Sequence, residues 1–408
     1  MIKYNNHMDK INILGINITN LKRVQVLNKI RDYLIGGGQH QIVTPNAEII
    51  LEAIGRDEEL FYIINVADLQ VLDGSGPQMA ALVTGYHIER YPGADLLKDI
   101  LEIARKQNRR VAVFNWRGGL SGVDNIKQAL TEKYKNLQVM VFDVERQTAL
   151  PDEILEQVRE FKPDIIFSSL GSPYQEKFIF HNLVKLPSAK IGLGVGGAFD
   201  FLTGKIRRAP KIFRIIGLEW LWRLVKQPKR WKRIYNAVIV FPYKFFLWRF
   251  ILPFRYRKNV ACLLYRKNQA GYEILIVERL DDSGHWQLPQ GGIDGQDLME
   301  AGKRELSEEI NTDKFKPVAA FGKLHQYEFG ERMSKFMVQA KKTRGYKGQK
   351  QSLFIAEFNG VDADIKINFW EHNGWRWVDA GKLMEEVHPS RQEAAKIFME
   401  KFRQIIKK

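Results

Sequence analysis

Three carboxylates stand at spacings that could do chemistry together. In Arg304-Glu305-Leu306-Ser307-Glu308-Glu309, the acids fall three and four residues apart. On a helix those spacings turn Glu305, Glu308 and Glu309 to one side. Clustered carboxylates repel one another unless a hard cation such as Mg²⁺ sits among them. A glycine loop, Trp286-Gln287-Leu288-Pro289-Gln290-Gly291-Gly292, comes before them, and Arg304 stands beside them. That context favours a metal-dependent catalytic helix over a solvated acidic face.

A second set is dispersed along the first half of the chain. Asp73 sits in Asp73-Gly74-Ser75-Gly76, where a carboxylate followed by two glycines has room to act as a base. The plainer alternative is a turn aspartate bonded to its own loop. Thr44 and Asn46 precede an apolar helix, where they suit either ligand binding or an N-cap. Gln175 and Glu176 follow Gly171-Ser172-Pro173 and either meet a ligand or simply open a helix.

The elements that must position these residues are legible. Apolar runs such as 41–43, 111–114, 164–167 and 191–195 alternate with helical periodicity, the pattern of a layered α/β domain. Each run ends in a loop of glycine and polar residues. In an open parallel sheet such ends line one edge, where ligands bind, and helix N-termini there attract phosphate. A nucleotide-shaped ligand is the resulting expectation. Gly192-Leu193-Gly194-Val195-Gly196-Gly197 fits a dinucleotide fingerprint, but it comes late in the domain, and Glu219 lies in a helix-like run rather than ending a second strand.

Six motifs occur in order: Thr44-Pro45-Asn46-Ala47-Glu48, Asp73-Gly74-x-Gly76, Gly171-Ser172-Pro173-x-Gln175-Glu176, Gly196-Gly197-Ala198-Phe199-Asp200, Gly204-x-x-Arg207-Arg208-Ala209-Pro210 and Gly217-Leu218-Glu219-Trp220-x-x-Arg223-Leu224. Together they resemble the WecG/TagA/CpsF glycosyltransferases over roughly residues 10–235. The resemblance implies metal-free inverting transfer from a UDP-sugar to a diphosphate-lipid-linked saccharide at the cytoplasmic membrane face. Compatible donors are N-acetylmannosamine, its uronic acid, glucose and glucuronic acid. It makes Asp73 the candidate base and Thr44, Asn46, Gln175 and Glu176 candidate donor contacts. Arg90, Arg223, Arg230 and Arg233 become candidates for the diphosphates, since a guanidinium matches phosphate geometry.

The carboxylate helix and its glycine loop resemble the Nudix box, with three departures. The loop is one residue short, Gln296 replaces the first Glu, and Asn311 replaces the last Gly. Those positions brace the loop and cap the helix, and Asn can take a C-cap conformation. The resemblance spans about 258–408 and implies Mg²⁺-dependent hydrolysis of a nucleoside diphosphate derivative. It assigns Glu305, Glu308, Glu309 and Glu371 to the metal, with Glu308 and Glu309 also catalytic. The glycine loop and the Gly374-Trp375-Arg376-Trp377 stretch are similar to the RNA pyrophosphohydrolase and diadenosine polyphosphate branch.

Charge ties the halves to a setting. The chain of 408 residues carries 63 Lys and Arg against 47 acids. Nearly all of that excess lies between Lys205 and Lys258, where sixteen cations meet the single acid Glu219. Tryptophan, tyrosine and phenylalanine are interleaved among them, as suits an anionic membrane surface. Nucleic acid is a lesser reading of the same composition. The longest charge-free run, Ile234–Tyr243, is half the roughly 20 residues of a membrane span, and Pro242 and Pro253 are expected to interrupt it. The lone Cys262 and a charged, signal-free start point to a reducing cytosol.

The expected architecture is therefore α/β in three parts. Residues 1–204 form a layered parallel-sheet transferase domain, 205–257 a basic aromatic membrane-associating appendage, and 258–408 a mixed α/β Nudix sandwich. The leading expectation is a bifunctional enzyme lying peripherally on the inner face of the cell membrane. Alternatives are a Nudix half that senses a nucleotide without cleaving it, or nucleotide and RNA processing as the main activity. A homo-oligomer is compatible with the sequence.

Overall fold

The computed structural model describes residues 10–55, 57–210, 213, 219–226, 228, 231–269, 271–329 and 345–407. The chain divides into two compact units, Met1–Phe246 and Leu247–Lys408.

In the first unit a short hairpin, β1 (Lys10–Ile13) and β2 (Ile16–Thr19), leads through helix α1 (Arg23–Ile35) to a six-stranded sheet. Its strands are β3 (His40–Val43), β4 (Leu69–Gln70), β5 (Val111–Trp116), β6 (Val139–Val144), β7 (Ile165–Ser168) and β8 (Ile191–Gly194), in the order β4-β3-β8-β7-β5-β6. Every pairing in it is parallel. Val111 to Phe114 are fully buried, as a sheet covered on both faces requires. Successive side chains go to opposite layers: Val111 and Val113 join one core with Leu97 and Ile100, while Ala112 and Phe114 join another with Phe178 and Ile179. The helices connecting these strands are α2 (Ala47–Ile54), α3 (Glu58–Val66), α4 (Ser75–Val83), α5 (Gly93–Lys106), α6 (Val123–Lys133), α7 (Asp152–Phe161) and α8 (Tyr174–Leu183). A short α9 (Ala198–Leu202) and α10 (Glu219–Lys226) follow the sheet.

From β3 the chain moves to one side of the sheet, and the later strands fill the other. Ligands of such sheets bind beyond the carboxyl ends of the strands, the edge to which β3 and β4 both point. The fingerprint-like glycines at β8 serve packing. A Cβ on Gly192 would meet Ile179 at 2.4 Å, and one on Gly194 would meet Gln175 at 2.7 Å.

The segment expected to be broken by Pro242 is instead continuous. A helix, α11, runs Trp231–Phe254, and by length and composition alone it could cross a bilayer. The physical reason is a local change of winding. Asn236–Val240 is a π-helix turn whose last bond runs from the Phe241 N–H to the Asn236 carbonyl. The wider turn accommodates a proline that lacks an N–H and crowds the preceding carbonyls.

The second unit is a seven-stranded mixed sheet with helices on both faces. Its strands are β9 (Tyr256–Asn268), β10 (Gly271–Arg279), β11 (Trp286–Gln287), β12 (Gln290–Gly292), β13 (Phe315–Glu328), β14 (Gly348–Phe358) and β15 (His372–Asp379). Strands β9 and β14 pair in parallel, and the other pairings are antiparallel. Helix α12 (Leu298–Ile310) buries Ala301, Leu306 and Ile310 with Val260 and Cys262 of β9. A short α13 (Leu383–Glu386) leads to α14 (Gln392–Ile406), which buries Phe398 and Phe402 with Leu263 and Ile276 on the opposite face.

Candidate active sites

In the first unit the strand ends β3 and β4 deliver Thr44, Asn46 and Asp73 to one place. Asn46 is the N-cap of α2, its side chain accepting from the Glu48 and Ile49 N–H groups at 3.0 Å each. Asp73 follows Val71-Leu72, and its Oδ2 accepts from the Gly93 N–H at 3.2 Å. Gly93 opens α5 between two side chains: a Cβ there would lie 3.5 Å from Thr44 Oγ1 and 3.6 Å from Asp73 Oδ2. Gly74 has φ +91°, a conformation that lets the chain turn from β4 into α4 while leaving Asp73 at the mouth.

These ends border a cavity of about 490 Å³. Asn46, Glu48, Asp73, Arg90 and Arg233 supply its polar lining, and α4 and α11 wall it with apolar side chains. Arg233 forms an ion pair with Glu48, tying the start of α11 to the start of α2. Phe241 and Phe245 of the same helix are buried. The cavity therefore holds two carboxylates, one of them paired with Arg233, two guanidiniums and an amide side chain beyond the ends of a parallel sheet. That donor set suits proton removal beside a phosphorylated ligand.

Gln175 and Glu176 lie elsewhere. Both are buried, 4% and 2% exposed, and neither borders this cavity. The Gln175 carbonyl oxygen accepts from the Gly196 N–H at 2.8 Å, and its amide donates to Glu176 Oε1 at 2.7 Å. They brace the loop after β8 against α8. Burial raises the Glu176 carboxyl above the usual range, and its Oε2 has no hydrogen-bond partner among the described residues. Arg223 is carried on α10, and Arg230 lies outside the described residues.

Strand β5 carries a feature that sequence reasoning missed. The Arg146 guanidinium lies 3.6 Å from the Trp116 ring centre, and its Nε donates to the Leu170 carbonyl at 2.8 Å. The signal available was only a tryptophan at a strand end.

In the second unit Arg304 organises the loop as the box pattern requires, with substituted partners. Its Nε donates to Gln296 Oε1 at 2.8 Å and its Nη2 to the Gly292 carbonyl at 2.8 Å. Gln296 thus supplies the acceptor that a glutamate would. Asn311 ends α12 with φ 50°, the left-handed C-cap conformation expected of it.

The acids separate into two groups. Glu305 and Glu308 contact Arg304 at 2.9 and 3.0 Å, while Glu309 gathers with Glu371 and His372, their ligand atoms all within 4.8 Å of one another. Glu309 Oε1 accepts from the Gln290 N–H at 3.2 Å, and Oε2 lies 2.5 Å from His372 Nε2. His372 was missed because nothing but its adjacency to Glu371 marks it in the sequence. Burial pushes the Glu305 carboxyl up to about 7, opposed by Arg304 and reinforced by the nearby charges of Glu309 and Glu308. Oxygen donors so crowded and desolvated fit a hard divalent cation, which would relieve their repulsion.

Comparison with known proteins places each half of the chain in a family. Residues 11–254 match the glycosyl transferase WecG/TagA/CpsF family, and residues 255–401 match the NUDIX domain. An N-acetylglucosaminyldiphosphoundecaprenol N-acetyl-beta-D-mannosaminyltransferase of Bacillus subtilis is 30% identical over 47% of this chain and 74% of its own length. The enzyme of the same name from Staphylococcus aureus MRSA252 is 30% identical over 58% of this chain and 91% of its own. Among solved structures, a C. elegans Ap4A hydrolase covers 36% of this chain and 98% of its own, at 19% identity and TM-score 0.28. The E. coli dihydroneopterin triphosphate pyrophosphohydrolase covers the same shares at 18% identity and TM-score 0.27. The chain belongs to the WecG/TagA/CpsF glycosyltransferase family and carries a Nudix hydrolase domain behind its transferase domain.

Proposed function

We propose that the first unit transfers N-acetylmannosamine from its UDP derivative to a polyprenyl-diphosphate-linked N-acetylglucosamine, in surface polysaccharide synthesis. The observation that carries this is the convergence of Asp73, Asn46, Arg90 and Arg233 on one cavity beyond β3 and β4. The names of the relatives supply the sugar and the acceptor.

Asp73 takes the proton of the acceptor hydroxyl as its oxygen attacks the anomeric carbon. The bond from that carbon to the UDP oxygen breaks on the opposite face, inverting the centre. Arg90 and Arg233 meet the diphosphate charge of donor or acceptor, as Arg223 and Arg230 do from the rest of the appendage. Thr44 and Asn46 hold the donor, and Gln175 and Glu176 keep the loop after β8 in place beside it.

Residues 205–257 act as the membrane-associating appendage. Burial of Phe241 and Phe245 favours a helix lying on the transferase domain at an anionic surface over one that leaves it to cross the bilayer. In the second unit Glu305, Glu308, Glu309 and Glu371 would hold Mg²⁺, which supplies Lewis acidity and an activated water for hydrolysis of a nucleoside diphosphate derivative.

Incubating the full chain with the UDP derivatives of N-acetylmannosamine, its uronic acid, glucose and glucuronic acid, plus a lipid-diphosphate-GlcNAc acceptor, tests the transferase. Disaccharide product from UDP-N-acetylmannosamine is expected. No product from any of the four overturns the reading.

A further inference from the structure

The cavity of the first unit changes character along its length, and the charged end accounts for only part of it. Arg233 and Glu48 fix one end by their ion pair. Further along α11, a Cβ on Gly76 would lie 3.5 Å from Phe241 Cδ1 and 3.7 Å from the Ala237 carbonyl, so the helix crosses the first turn of α4 there. Phe245 stands one turn beyond Phe241 and also lines the cavity. On the facing side, Met79, Ala80 and Val83 carry the wall along α4, about 12 Å from its start at the helical rise per residue.

The apolar stretch is open to its surroundings. Met79 is 60% exposed and Val83 53%, although both face a cavity, and Leu82 and Tyr86 beside them are exposed as well. On α11, Ile239, Tyr243 and Phe246 are exposed in turn. A water-soluble ligand gains nothing from such a wall. An amphiphile with an anionic head and a branched hydrocarbon tail matches it at both ends.

We infer that the stretch between α4 and α11 binds the first isoprenoid units of the acceptor lipid, so that the enzyme recognises the prenyl chain as well as its diphosphate. This rests on the transferase reading above. The head of the acceptor lies at Asp73, Arg90 and Arg233. The tail follows the apolar wall of Met79 and Val83 on α4, beyond the crossing at Gly76, and leaves between Val83 and Phe245 into the bilayer. Placing α4 at the membrane in this way adds a second lipid-facing element to the basic appendage.

The test uses the full chain, UDP-N-acetylmannosamine and three acceptors that share the GlcNAc-diphosphate head: farnesyl, a linear saturated alkyl of equal carbon number, and methyl. The farnesyl acceptor is expected to show a KM about tenfold below the methyl one, with the linear chain between them, since a fitted branched tail buries more apolar surface. Val83→Gln, at an exposed position that tolerates polarity, and Ala80→Trp, which fills the wall, should each shrink the farnesyl-to-methyl ratio towards one. The UDP dissociation constant, read by calorimetry, reports separately that the donor side is intact. Transfer to all three acceptors at equal KM, or a ratio that both variants leave unchanged, would overturn the prenyl subsite while the transferase reading stands. Absence of transfer to every acceptor would overturn both.

Discussion

Two glycines set what the reactive residues can do. In the Nudix domain a Cβ on Gly291 would lie 1.5 Å from Glu305 Oε2, so the loop holds that carboxylate by close backbone approach. Gly291→Ala must displace Glu305 without removing a ligand. It is expected to weaken Mn²⁺ binding about tenfold, the scale of a supporting-shell change, in a titration followed by paramagnetic resonance. Unchanged binding would mean that Glu305 takes no part in the site. In the transferase domain Gly93 holds Asp73 by its N–H at 3.2 Å, and a side chain there would abut both Thr44 and Asp73.

At the scale of elements, the loop after β8 is held from behind by α8 through Gln175 and Glu176. Glu176 is buried with its carboxyl raised, so its neutral form fits the fold and its ionised form does not. The stability this residue allows is full at acid pH and is lost as pH rises through its folded-state value. Glu176→Gln mimics the neutral form, so its melting temperature should gain on that of the wild-type chain as pH rises above the ordinary carboxylate range, read by calorimetry. A gap that does not move with pH would contradict the burial argument.

Much of this level was legible in the sequence. Buried parallel strands read as continuous apolar runs, and the carboxylate spacing on α12 marked a helix that buries two of its acids, Glu305 and Glu309. The continuity of α11 was not legible, because a proline in a helix normally ends it and a π-turn leaves no pattern in the residue types. Nor was the grouping of Glu309 with His372, which depends on where β15 runs rather than on any local spacing. The separation of Gln175 and Glu176 from the cavity was equally hidden. Two polar residues at a helix start look the same whether they face ligand or loop.

For the whole molecule, charge and apolar surface point to one partner. The basic stretch around α11 and the exposed side chains of α4 suit an anionic bilayer, with cations at the lipid phosphates and rings at headgroup depth. The full chain should sediment with vesicles containing phosphatidylglycerol, less with pure phosphatidylcholine, and less again as salt rises. A carbonate wash at high pH should release it. Retention after that wash would show that α11 crosses the bilayer instead.

Asp73 is proposed to remove the acceptor proton in the cavity beneath α11. Acceptor-dependent UDP release by the full chain, measured for the wild type and for Asp73→Asn alongside UDP binding, tests it most directly. Asp73→Asn should lose about a hundredfold or more in rate with UDP affinity retained, as expected when a general base is removed. An Asp73→Asn enzyme that releases UDP at the wild-type rate would contradict it.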